Sequence, residues 1–127
     1  AWTQERYFCI SKDRKRRSED YRRLVECFRR RGCTACLFIS DYYAVEAMDY
    51  LLDHGIRVPE DISVVGYDGL RIGDFYVPKL TTISQSVELL AKCSFELLIS
   101  CMQGAPAQHL TVPFRLLRRQ SVRQITE

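Results

Sequence analysis

Tyr67 and Asp68 are the residues whose types and position in this 127-residue chain best fit a binding role. They follow residues 62–65, an apolar run with three β-branched side chains that is too short for a helix. Such a run predicts a strand buried on both faces, of the kind found in parallel sheets. Gly66 should then let the chain turn, so that Asp68 lies just beyond the carboxyl end of the strand, where ligands bind in open α/β sheets. A carboxylate at that point can accept hydrogen bonds from a small polar molecule.

Cys33 and Cys36 form a CxxC pair, which raises the possibility of redox chemistry or metal binding. Cys33 directly follows Gly32, a predicted helix end, whereas a redox nucleophile is typically placed at a helix N-terminus, where the dipole lowers the thiol pKa. A structural zinc site would need a second pair of ligands, and the two histidines, His54 and His109, are isolated. A CxxC oxidoreductase therefore stays a third hypothesis, and we expect neither a metal nor a cofactor.

Composition indicates a globular protein, with 46% hydrophobic and 28% charged residues and a net charge of +3. About half of the Lys and Arg fall within residues 12–31, which could be a nucleic-acid patch, but no aromatic stacking residues accompany them. A solvated loop and helix face is the favoured interpretation. The chain has six cysteines, no secretory leader and no apolar run long enough to cross a bilayer. These features favour reduced thiols and a cytoplasmic location. The chain begins without Met, so we expect it to be a piece of a longer protein.

Apolar runs alternate with amphipathic segments along the chain. This order predicts an α/β fold, in which a parallel sheet carries helices on both faces. Ser18 and Asp41 are good N-cap residues, and Gly32 suits a helix end. The predicted strands are residues 7–10, 35–39, 62–65 and 80–83, with residues 110–117 extended; the predicted helices are residues 18–31, 41–52 and 87–102. The last helix has a predicted inward face, formed by Val87, Leu90, Ala91, Leu97, Leu98 and Cys101.

Polar pairs follow the predicted strands. Because parallel strands end at the same edge of a sheet, these pairs should gather along one rim and form a binding site. The pairs are Ser11 with Lys12, Ser40 with Asp41, Tyr67 with Asp68, and Ser84 with Gln85. No nucleophile, base and orienting group occur together, so no catalytic residue is predicted and we do not expect an enzyme.

Four segments in order are similar to the effector-binding domain of the LacI/GalR family of bacterial transcription repressors, which is related in fold to periplasmic sugar-binding proteins. They are ACLFISDYYAVEAM, GIRVPEDISVVGYDG, VPKLTTISQSVELLA and VPFRLLRRQSV. The resemblance runs from about residue 33 to 124. It implies that residues 1–127 are a single α/β lobe, the C-terminal half of a two-lobed effector domain. The N-terminal lobe and the DNA-binding head of the family have no counterpart in the chain.

The resemblance implies the site residues one by one. Asp68 matches the family's effector-contacting acid, and Ser40 stands where many members have an effector-contacting Asn. Asp41 matches the following Asp, with an N-cap role as the alternative. Tyr67 would be part core and part cleft wall, and Gln85 would lie near the cleft. Besides Ser40, two residues depart from the family pattern: Gly69 replaces a second Asp or Asn, and Glu46 stands where Gly is common.

The resemblance also implies a homodimer, because the matching helix and the loop before Leu-Thr-Thr form much of the family's subunit contact. Those segments are rich in aromatic residues, as interface cores are, although packing within the lobe would account for some of them. The predicted interface residues are Tyr42, Tyr43, Val45, Tyr50, Phe75, Tyr76 and Val77.

The function that follows is that of a sensor. A small polar effector, with a sugar favoured, would bind between the lobes and control DNA binding by the head, and the chain itself would contact neither DNA nor membrane. The alternative is the sugar-binding component of a transporter, which should carry a signal peptide and avoid free cysteines.

Overall fold

The computed structural model describes residues 8–124 as an α/β protein. The helices and strands follow in the order α1 (Arg14–Arg31), β1 (Ala35–Leu37), α2 (Asp41–Asp53), β2 (Ser63–Asp68), α3 (Ile72–Phe75), β3 (Thr81–Gln85), α4 (Val87–Met102) and β4 (Phe114–Leu117). The first predicted strand is wrong for residues 8–10, which have no strand structure; its remaining residue, Tyr7, lies outside the described range.

The four strands form one sheet in the order β1-β2-β3-β4. β1 pairs with β2, and β2 with β3, in parallel, so that Leu37, Val65 and Thr81 stand side by side. The predicted α/β class is confirmed. β4 corrects the prediction in one respect, because it runs antiparallel to β3, with Ile83 opposite Leu116. The chain leaves α4 at Met102 and returns along the edge of the sheet in the opposite direction, which local residue patterns do not encode.

The core lies between α2 and the sheet. α2 buries Ala44, Met48 and Leu51 against the face of the sheet that carries Val64 and Leu80. Burying a side chain the size of Met48 or Leu51 contributes about 1.5–3 kcal/mol, so this contact adds substantially to the stability of the fold. α1 packs outside α2 through another buried stripe, Tyr21, Leu24 and Val25.

The caps of α1 and α2 differ from the predicted ones. Asp13, not Ser18, caps α1 and accepts a hydrogen bond from the backbone N–H of Lys15 at 3.0 Å. The helix therefore begins earlier than predicted, because Asp and Ser are both strong caps and the sequence offers both. Gly32 does end α1, in the left-handed conformation at φ 62°. Ser40 caps α2 instead of Asp41.

The opposite face of the sheet is only partly covered. Side chains alternate along a strand, so Leu37, Ile39 and Leu116 point away from α2, and Leu37 is 62% and Leu116 54% exposed. α4 has no buried residue at all, so the predicted inward face of that helix is exposed over the described chain. The periodicity of α4 predicts a helix with an apolar side, but it does not reveal which part of a protein covers that side. No helix in residues 8–124 has the length and apolar character needed to span a membrane.

Candidate functional site

The parallel strands bring three polar side chains to one rim of the sheet. Asp68 is the last residue of β2 and pairs with Ser84 of β3. Ser40 follows β1 and caps α2, where its hydroxyl accepts from the backbone N–H of Tyr42 at 3.4 Å. Ser11 and Lys12 do not follow a strand; their carbonyls accept from the guanidinium of Arg17 at 3.0 Å each, at the start of α1.

Asp68 has a strained backbone. Its φ is 113°, and it is the one non-glycine residue with positive φ among residues 8–124. A non-glycine residue in such a region costs about 1–3 kcal/mol, and strain of this kind tends to occur where a ligand is held. The turn therefore begins at Asp68 itself, so the prediction that Gly66 makes the turn is wrong.

Gly69 completes this turn with φ 76°. A Cβ built on Gly69 would lie 2.3 Å from the Oγ of Ser84, so no larger residue fits. With Ser84 placed as it is, only glycine is accommodated at this position of the chain. The backbone is consequently tightly packed at Asp68, the last residue of β2.

Asp41 lies beneath this rim and is fully buried, at 0% exposed. The hydroxyl of Thr82 donates to Asp41 Oδ1 at 2.5 Å, and the backbone N–H of Leu70 donates to Asp41 Oδ2 at 2.6 Å. Gly66 belongs to β2 and leaves room for this carboxylate, since a Cβ at Gly66 would lie 2.1 Å from Asp41 Oδ1. Asp41 thus connects α2, β3 and the turn after β2.

Tyr67 and Gln85 lie on the other face of the sheet. Both are half-buried, and strand alternation places them opposite the side that carries α2, with Tyr67 beside Ile83 in the register. They adjoin Asp68 and Ser84 along the chain, at the same rim. Thr82, which sequence reasoning missed, sits directly below that rim and is completely buried. Thr82 is one of two adjacent threonines, and nothing in that pair indicates that its hydroxyl bonds a carboxylate far away in the chain.

The predicted interface residues fall into two groups. Tyr42, Phe75 and Val77 are exposed, with Phe75 at 74% and Val77 at 81%. Val45 is buried, and Tyr43, Tyr50 and Tyr76 pack partly against the core. Leu52 and Ile72, which were not predicted, are exposed beside the first group. We call the exposed set the α2–α3 surface: Tyr42, Leu52, Ile72, Phe75 and Val77.

α1 accounts for two of the remaining aromatic residues. The guanidinium of Arg17 lies 5.1 Å from the centre of the Tyr43 ring. Tyr50 stacks on His54 at 4.0 Å and lies 5.8 Å from Tyr21. These two tyrosines therefore contact their own chain. The sequence could not separate them from the exposed group, because the position of α1 on α2 is a long-range property.

Glu46 stands at the centre of the contact between α1 and α2. It accepts from Arg17 Nη1 at 2.6 Å and from the Tyr21 hydroxyl at 3.1 Å. The hydrogen bond to Glu46 raises the pKa of Arg17, and burial with the nearby Glu46 charge raises the pKa of Tyr21. Glu46, a departure from the family pattern, is thus a structural tie between the two helices.

Cys36 of the CxxC pair lacks the environment of a reactive thiol. Cys36 lies in β1, and burial raises the pKa of its thiol to about 12, so the thiolate is scarce at neutral pH. Its Sγ donates to the carbonyl of Ser63 at 3.7 Å. All six cysteines are free thiols. Within residues 8–124, no group of three or more His, Cys, Asp or Glu side chains is arranged to hold a metal ion.

Comparisons with known proteins give a consistent picture. Residues 3–122 match the family described as the periplasmic binding protein-like domain. The HTH-type transcriptional regulator MalR of Clostridium butyricum is 35% identical over 94 residues, which are 73% of this chain and 28% of that protein. Among solved structures, the lac repressor dimer bound to operator and the anti-inducer ONPF matches with a TM-score of 0.70 and 32% identity, over 83% of this chain and 38% of that one.

A third match is the complex of the transcriptional regulator CelR with cellobiose, with a TM-score of 0.75 and 28% identity, over 82% of this chain and 32% of that one. In each of these three comparisons, the chain spans less than two-fifths of the other protein's length.

Proposed function

The chain belongs to the periplasmic binding protein-like domains of LacI-family regulators, and on that premise we propose that it is the effector-sensing and dimerisation lobe of a bacterial transcription regulator. In the longer protein, a small polar effector would bind in the cleft between this lobe and a first lobe. Effector binding would then control a DNA-binding head that lies outside this chain. The relatives are regulators and not enzymes, which supports a sensing role in the cytoplasm.

Asp68 carries the proposal. Its carboxylate stands at the carboxyl ends of the parallel strands, on a backbone with positive φ. An ionised carboxylate accepts hydrogen bonds from two neighbouring hydroxyls at once, which suits a sugar. The cellobiose complex of CelR supports a sugar in particular. Ser40, Tyr67 and Gln85 would add contacts around Asp68.

α4 and the open sheet face support the existence of a first lobe. α4 exposes Phe95 at 64% and Met102 at 75%, and Phe114 of β4 is also exposed. A helix that is apolar on most of its surface is normally covered by protein, and large exposed apolar patches mark interaction sites. We assign this cover to parts of the longer protein outside residues 1–127, so the chain would be one lobe of a two-lobed domain.

The α2–α3 surface supports a homodimer. It combines two aromatic residues with Leu52, Ile72 and Val77, all exposed. The lac repressor neighbour is a dimer. An effector that prefers one arrangement of the lobes would shift that population and, through the dimer contact, the spacing of the two heads. Six free thiols and regulator relatives favour this role over that of a transporter component.

The test is a thermal-shift screen of the full-length protein against cellobiose, lactose, maltose and the free nucleobases. We expect one sugar to raise Tm, as ligands that bind only the folded state must. Asp68→Ala should abolish that rise, while Asp53→Ala, which changes an exposed acid at the far end of α2, should leave it intact. An Asp68→Ala protein that responds like the unmodified one would remove Asp68 from the site.

A further inference from the structure

We propose that Asp41 is a positioning residue for effector binding, which holds Asp68 in its binding conformation without touching the effector. The inference rests on the proposed function, because it takes Asp68 as the effector-binding carboxylate. Asp41 would act by holding the main chain next to Asp68, and it would not contact the effector itself. Full burial of the Asp41 side chain and the engagement of both its oxygens are the observations behind it.

The two backbone amides that follow Asp68 are both linked by hydrogen bonds to the Asp41 carboxylate, one directly and one through Thr82. The backbone N–H of Leu70 donates to Asp41 Oδ2 directly, at 2.6 Å. The backbone N–H of Gly69 donates to the Oγ1 of Thr82 at 3.3 Å, and that hydroxyl donates onward to Asp41 Oδ1 at 2.5 Å. The turn that carries Asp68 is therefore held at two consecutive peptide groups, by Asp41 directly at Leu70 and through Thr82 at Gly69.

A positive φ at Asp68 needs such a restraint. The conformation is unfavourable for a residue with a Cβ and persists only where the surroundings determine it. Hydrogen bonds to an ionised acceptor are among the strongest in proteins, and a buried donor that loses its acceptor is costly. Without Asp41, we expect the turn to relax towards negative φ and the Asp68 carboxylate to lose its fixed direction.

The surroundings of Asp41 are built for this carboxylate. Gly66 leaves the space that one carboxylate oxygen occupies, 2.1 Å from where a Cβ would stand. Asp41 is in the first turn of α2, where the helix dipole stabilises a negative charge. Asp41 is also rigidly placed, because α2 buries Ala44, Met48 and Leu51 in the core. The same helix contributes Tyr42 and Leu52 to the α2–α3 surface, so Asp41 joins the effector rim to the helix of the proposed dimer contact.

The experiment compares three variants of the full-length protein. Asp41→Ala removes both acceptors. Asp41→Asn keeps an oxygen for the Leu70 N–H and offers its amide to Thr82 Oγ1. Ser121→Ala is the matched control, since Ser121 is as buried as Asp41 and bonds Val64 of β2 and Thr81 of β3, outside residues 67–71. Hydrogen–deuterium exchange of peptides covering residues 67–71 is measured without ligand, and the Kd for cellobiose is measured by calorimetry.

In Asp41→Ala, we expect faster exchange at residues 67–71 and a Kd for cellobiose weakened by at least about tenfold, as loss of a charged hydrogen bond implies. Asp41→Asn should recover part of both effects, because it keeps the hydrogen bonds without the charge, and Ser121→Ala should lower Tm while leaving both unchanged. Equal effects of Asp41→Ala and Ser121→Ala on residues 67–71 would overturn the proposal, since both would then act only through stability. If Asp41→Ala does not fold, Thr82→Val removes one of the two links at constant shape and takes its place.

Failure of the unmodified protein to bind cellobiose would count against the sugar assignment and leave the exchange comparison to decide the role of Asp41. Normal exchange at residues 67–71 in Asp41→Ala would overturn that role even if Asp68 proved to bind effector.

Discussion

Ser121 and Val64 exchange two hydrogen bonds at the amino end of β2. The Ser121 hydroxyl donates to the Val64 carbonyl at 2.6 Å, and the Val64 N–H donates to the Ser121 carbonyl at 2.8 Å. The same hydroxyl accepts from the Thr81 N–H at 2.8 Å. Ser121 therefore joins β2 and β3 at the end opposite to the rim, through a hydroxyl that both donates and accepts.

Ser121→Ala should destabilise the protein by about 1–3 kcal/mol, because it leaves the buried Thr81 N–H without its acceptor. Urea denaturation followed by circular dichroism measures the change. Ser94→Ala, an exposed position on α4, should stay within about 0.5 kcal/mol of the unmodified protein. A Ser121→Ala protein as stable as the Ser94→Ala control would show that these bonds contribute nothing net.

Asp68→Gly should separate stability from binding. Glycine adopts positive φ without strain, so we expect the substitution to stabilise the protein by about 1 kcal/mol after the entropy cost of glycine is subtracted. It should abolish the effector response, because the carboxylate is gone. Chemical denaturation and the sugar screen measure the two effects on one sample. A loss of stability would mean that the Asp68 side chain makes contacts that outweigh its strain.

Phe75→Glu should weaken self-association, because it places a charge in the α2–α3 surface. Sedimentation velocity over a range of concentrations measures the shift from dimer to monomer. Tyr50→Ala should instead lower Tm and leave association unchanged, since the Tyr50 ring stacks on His54 and lies beside Tyr21 in the same chain. The reverse pattern would move the subunit contact from α3 to the side of α2 that α1 covers.

Cys36 should be unreactive at pH 8 in the folded protein, because burial raises its thiol pKa to about 12. A free thiol has a pKa of about 8.5, so the folded state holds the proton more tightly. The associated stability is complete below about pH 8.5 and is lost as the pH rises through 12. Thiol labelling of a variant that retains only Cys36 should require denaturant, whereas one that retains only Cys9, an exposed thiol, should react at once. Rapid labelling of folded Cys36 would reopen the redox hypothesis.

Local patterns predicted most of the helices and strands well. The predicted helix over residues 87–102 has the observed bounds of α4, and the predicted helix over residues 41–52 ends one residue before α2 does. β2 runs further than predicted, through Gly66, because the glycine accommodates the Asp41 side chain and does not turn the chain. Periodicity and helix caps depend on residues that are close in the sequence, so the sequence alone can predict them.

Contacts between distant residues were not predictable in the same way. Nothing near Asp41 in the sequence indicates that its carboxylate turns inward to Thr82, and nothing near Glu46 indicates Arg17. The direction of β4 and the exposure of α4 also depend on how segments meet in space. The rim was predicted in outline because parallel strands share an edge. The burial of Asp41 beneath the rim was not predictable, because it depends on contacts with residues that are distant in the sequence.

A methyl group at position 66 would overlap a carboxylate oxygen of Asp41, so a side chain at position 66 and the acid at position 41 exclude each other. The two positions must therefore change together: alanine at 66 is compatible with the fold only after the acid at 41 has been shortened to serine or alanine. Mutagenesis that varies one site at a time would discard every such combination. A library randomised at both positions at once is the one that can recover relatives of this lobe with a reshaped effector rim.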